Sequence, residues 1–142
     1  ISEKDIHDIY TIRSYLEGLC ARWACEHVTE EQLDAIEEVI YLSEFHTSKG
    51  HFEQVVELDS KFHKLIYDAC GSKILEHELS VFHHYVERVR KITLSMEERA
   101  KRSTAEHTAI LNAIRSRDKD LAEKLAHEHI IRTIENIEKL GL

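Results

Sequence analysis

His51-Phe-Glu-Gln-Val55-Val-Glu-Leu-Asp59-Ser-Lys-Phe-His63-Lys-Leu-Ile66-Tyr-Asp-Ala-Cys70 carries the pattern on which the fold turns. Phe52, Val55, Val56, Asp59, His63 and Ile66 recur at the three- and four-residue steps of one helix face. Two polar residues, Asp59 and His63, interrupt that apolar face one turn apart, so both side chains point into whatever the helix packs against. A buried carboxylate without a partner is costly. Asp59 therefore needs a cation, a metal or several hydrogen-bond donors. A hydrogen-bonded Asp–His pair in the core would also meet that need.

Working outward, the same periodicity predicts an all-α antiparallel bundle of about six helices around a central metal or ligand cavity. The first helix runs from about Asp5 to His27, with Ile6, Ile9, Leu16, Cys20 and Trp23 inward. Thr29 and Gln32 form a capping box that opens the second. Gly71 offers a left-handed stop to the third, and Ser72 caps a fourth that continues to about Thr93. This fourth helix has two apolar stripes, Leu75–Leu79–Phe82–Val86–Val89 and Val81–Tyr85–Ile92, which predict a central position. Ser95 and Glu98 suggest a capping box for the fifth, and Asp118 a cap for the sixth, which ends at Gly141.

Composition sets the limits. The 142 residues contain no Pro and four Gly, carry a formal charge of −8, and hold eleven histidines. The length suits one domain, spanning residues 1–142. Acidic balance and dispersed basic residues argue against this chain gripping nucleic acid by itself. No stretch is long and apolar enough to cross a membrane, and three cysteines without a CxxC motif suit buried thiols in the cytoplasm. A start at Ile1 suggests a longer protein.

Helical phase sorts the histidines. His107 lies in step with Ile110, Leu111 and Ile114, and His129 with Leu121 and Leu125, whereas His127 falls on the other side. Any one of these reads as an ordinary core histidine. Three imidazoles and one carboxylate facing inward from three helices point instead to a divalent metal, with zinc, nickel, manganese, iron and cobalt all compatible with such donors. Arg13 shares the inward face of the first helix and would suit a carboxylate ligand or an internal pair with Glu17. Arg88 lies on the second stripe of the fourth helix and is a further ligand candidate. His83 and His84 could line a cavity.

Several motifs resemble the ligand-sensing C-terminal domain of FadR-type regulators in the GntR superfamily, known as FCD. Ile9-Tyr-Thr-Ile-Arg13-Ser-Tyr-Leu-Glu17 is similar to its opening R-x-x-x-E helix. Leu58-Asp59-Ser-Lys-Phe-His63 is similar to its D-x-x-F-H element, and Glu106-His107 is followed by His129 at a spacing of 22. Cys70-Gly-Ser-Lys73 departs from the family's usual turn. The resemblance implies that Asp59, His63, His107 and His129 hold a metal and that the domain binds a small organic acid. It also implies that an N-terminal winged helix-turn-helix, absent from this chain, binds DNA, commonly in a homodimer. A metal-dependent helical hydrolase and a purely structural metal remain the alternatives.

Overall fold

The computed structural model describes residues 2–141. Among them are seven α-helices and no strands: α1 Glu3–His27, α2 Glu30–Ser48, α3 Phe52–Ala69, α4 Lys73–Val81, α5 His83–Thr93, α6 Glu97–Arg115 and α7 Lys119–Lys139. Turns of at most three residues join them. The all-α expectation holds. Four helix starts are capped by side chains: Ser2 accepts from Asp5 N, Thr29 from Gln32 N, Ser72 from Leu75 N and Asp118 from Leu121 N. The capping box at Ser95 does not form. Its hydroxyl donates to the carbonyl of Ile92 at 2.6 Å, and Met96 stands at the head of α6 without a side-chain cap.

The expected fourth helix is two helices. Phe82 ends α4 with a tight turn, its amide donating to Leu79 O at 3.2 Å, and opens α5. The stripe of Leu75, Leu79, Val86 and Val89 is buried as read. The second stripe is not: Val81, Tyr85 and Ile92 are exposed, so α4 and α5 form an outer wall instead of a central element. Apolar residues make up much of any protein surface, so a secondary apolar stripe is weak evidence of burial.

α1 packs along α7, α2 against α3, and α6 lies between α2 and α7. Here too the inward face differs from expectation, because Trp23 is exposed while Gly18, Cys20, Ala21, Ala24 and Cys25 are buried. Small residues let two helices approach: a Cβ on Gly18 would stand 3.1 Å from the backbone oxygen of Glu123 on α7. At Gly71 the chain takes φ +77, with the His27 ring where a side chain would go. The main core joins α1, α2, α3, α4, α6 and α7 around Ile36 and Ile114. All three cysteines are free and buried. No helix among the described residues is long and apolar enough to cross a membrane.

Candidate metal centre and adjoining cavity

α3 supplies Asp59 and His63, α6 supplies His107, and α7 supplies His129, all four buried. The three histidines present ring nitrogens that lie within 4.8 Å of one another. His107 Nε2 is 3.2 Å from His129 Nε2, and the carboxylate of Asp59 is 3.6 Å from His63 Nε2 and 3.8 Å from His107 Nε2. Two ligand atoms held about 2.1 Å from one ion at a tetrahedral angle stand ~3.4 Å apart, so these separations suit a single small cation. The four sequence-derived candidates are therefore neighbours in space. Asp59 stands at the edge of the group, because Arg90 Nε holds one of its oxygens at 2.8 Å and Ser103 Oγ donates to the other at 3.4 Å.

The far sides of the rings are also engaged. His129 Nδ1 lies 2.6 Å from Glu106 Oε1, and His63 Nδ1 lies 3.5 Å from Glu17 Oε1. A carboxylate at Nδ1 draws the ring proton there and leaves the Nε2 lone pair free to coordinate. The close pair of Nε2 atoms on His107 and His129 can be satisfied by one proton on His107 or by one cation on both. Phe62 stacks on the His107 ring at 3.8 Å and 9°, fixing its plane. Glu106 is itself gripped by both Nη atoms of Arg99, at 3.0 and 3.2 Å.

Electrostatics keep the donors in coordinating form. Burial lowers His63 to about 4 despite the opposing pull of Glu17, and burial with neighbouring His129 lowers His107 well below the ordinary imidazole range. Burial would raise the Asp59 carboxyl, yet Arg90 and the adjacent histidines hold it well below its usual range. Glu17 is likewise kept ionised against burial by Arg13. The centre thus pairs the neutral imidazoles of His63 and His107 with the anionic carboxylate of Asp59, the protonation states that bind a metal.

Two spaces adjoin these residues. One of about 20 Å³ lies among Arg13, Asp59, His63, Arg90 and His129, enough for one atom-sized guest. The other, about 410 Å³, opens between α3 and the α4–α5 wall, bounded by Arg13, His63, Tyr67, Leu79, Val86 and Arg90. Arg13, His63 and Arg90 border both. The larger cavity is thus lateral, where the sequence suggested a central one.

Arg13 is buried and makes the internal pair with Glu17 that was one of its two readings. Its Nη2 lies 2.7 Å from Glu17 Oε2, yet no hydrogen bond is in line there, and the same guanidinium faces the cavity. Arg88 is exposed and borders neither space. Arg90 does instead, because it follows Val86 by four residues and so continues the buried stripe of α5; that spacing was the signal for it. His83 borders the cavity and pairs with Glu87 at 2.9 Å, whereas His84 borders neither space; both are exposed. Glu106, next to His107 in the chain, and Glu17 are the supporting acids that helical phase alone did not reveal.

A family model described as FCD domain matches residues 8–132. The chain belongs to the FCD domain family. This FCD domain is 26% identical over 143 residues to YdhC of Bacillus subtilis, named an uncharacterized HTH-type transcriptional regulator, covering 95% of the chain and 64% of that relative. It is 22% identical over 140 residues to the Escherichia coli HTH-type transcriptional repressor RspR, covering 99% and 61%. The FCD domain thus spans about three fifths of the length of these relatives. Among solved structures it superposes on E. coli McbR/YncC with a TM-score of 0.89 at 18% identity, covering 99% of this chain and 71% of that one. A Streptococcus agalactiae GntR gives 0.80 at 22% identity, covering 95% and 61%. Both sequence relatives are thus named as HTH-type transcriptional regulators.

Proposed function

We propose that this FCD domain is a metal-dependent sensor of a small carboxylate-bearing molecule. His63, His107 and His129 would hold one divalent transition metal, with Asp59 as the fourth ligand once its carboxylate turns from Arg90. The observation that carries this reading is the convergence of three buried imidazoles, with the outer nitrogens of His63 and His129 backed by Glu17 and Glu106. Bound there, the ion would supply a Lewis-acidic position for a carboxylate oxygen. Arg13 and Arg90, which border the centre and the larger cavity alike, would take the ligand's remaining charge.

A cavity of about 410 Å³ beside the centre favours a ligand-accepting site over a metal that only ties helices together. In a longer protein, a ligand that prefers one arrangement of the domain would bias DNA binding by a winged helix-turn-helix partner domain. The test uses metal analysis and thermal melting of the purified chain. Loading should leave about one tightly held transition metal per chain, and a panel of organic acids should raise the melting temperature of the loaded form only. Failure to retain any metal, or equal shifts with and without it, would overturn the reading.

A further inference from the structure

The walls of the larger cavity specify more than a carboxylate. Most of the polar groups that border it are already engaged with the protein. The Tyr67 hydroxyl donates to Glu17 Oε2 at 2.7 Å, and Ser60 Oγ accepts from Arg90 Nη1 at 2.9 Å. Ser80 Oγ donates to the carbonyl of His77 at 2.7 Å, and His83 Nε2 meets Glu87 at 2.9 Å. Leu79 and Val86 give the space its apolar lining, and the charged residues Lys61, Lys64 and Glu76 also stand on its border. At one end stand the buried guanidinium groups of Arg13 and Arg90, paired with Glu17 at 2.7 Å and with Asp59 at 2.8 Å, whose positive charge suits a carboxylate.

We propose that the ligand is an acid with one carboxylate head and an apolar body, of the aryl-alkanoic or branched aliphatic kind, and not a polyhydroxylated sugar acid. This rests on the sensor reading above and names the ligand class for the same site. The head sits against Arg13 and Arg90 beside His63. The body fills the space along Leu79 and Val86. Hydroxyls of a sugar acid would be stripped of water there and meet mostly apolar surface and groups that already have partners, which disfavours them.

Calorimetric titration of the metal-loaded chain with propionate, butyrate, valerate and hexanoate tests this without any substitution. Burial of each added methylene should tighten binding about threefold to fourfold, the equivalent of about 0.8 kcal/mol. 3-Phenylpropionate should bind at least tenfold more tightly than gluconate or citrate, and its uncharged amide should lose that affinity. A flat series with gluconate or citrate bound more tightly overturns the apolar-body proposal and leaves the sensor reading standing. If no acid of either kind binds the loaded chain, both fall together.

Discussion

The histidine centre and the cavity beside it share Arg13, His63 and Arg90 yet are built on opposite plans. The centre draws its donors from α3, α6 and α7, helices of 18, 19 and 21 residues that are braced by the main core. Two of its three rings are held by a carboxylate behind them and the third by a stacked phenyl group. The cavity leans on α4 and α5, of 9 and 11 residues, and presents mainly saturated carbon. The difference is instructive. Side chains whose ring nitrogens converge within a few ångströms stand on long, braced helices, whereas the wall of an open cavity can stand on short ones.

That contrast can be broken most severely at His107. His107→Ala removes one of three converging donors, and dialysed protein should retain no measurable metal while keeping its helical circular dichroism. Retention of metal at the original level would show that the convergence is packing alone.

Acidification should give the next largest effect. His63 is held at about 4 against an ordinary 6.5, and His107 is also lowered well below the ordinary range, so between 4 and 6.5 the unfolded chain binds protons that the folded chain does not. Stability of the metal-free chain should therefore be complete above about pH 6.5 and fall as pH drops toward 4. At about 1.4 kcal/mol per pKa unit, His63 alone accounts for a loss of about 3 kcal/mol, readable by urea denaturation at a series of pH values. A flat profile across that window would mean that the imidazoles are open to water.

A smaller effect is expected at Glu106→Gln, which keeps the size of the side chain and weakens its hold on His129 Nδ1. Metal affinity should drop about 10- to 100-fold, as it does when such outer partners are lost, with the melting temperature of the metal-free chain little changed. An affinity equal to that of the unaltered chain in a chelator competition would remove Glu106 from the centre.

Much of this buried cluster was legible in the chain because a helix repeats every 3.6 residues, and Asp59, His63, His107 and His129 each break an apolar phase. The pairing of Arg13 with Glu17 was legible for the same reason, since residues four apart share a face. What the pattern hid was the identity of the exposed faces. Val81, Tyr85 and Ile92 formed a plausible second stripe, and Arg88 was placed with them, yet nothing in the described structure packs there. Trp23 misled by its size, because α1 turns its small residues toward α7. Ser95 matched a capping box, but its hydroxyl found the carbonyl of Ile92 first. Supporting acids such as Glu106 depend on how α6 and α7 sit side by side, which no single helix reports.

The turn at Phe82 bears on how the cavity wall behaves. Two rods of 9 and 11 residues are each below the length at which a lone helix persists in water, about 12–15 residues. Their shape is therefore on loan from the surfaces they touch, α1 and α3 on one side and α7 on the other. A guest lodged against Leu79 and Val86 adds one more such surface, so occupancy of the cavity is written into the wall as rigidity, a signal that travels without any large displacement of the bundle.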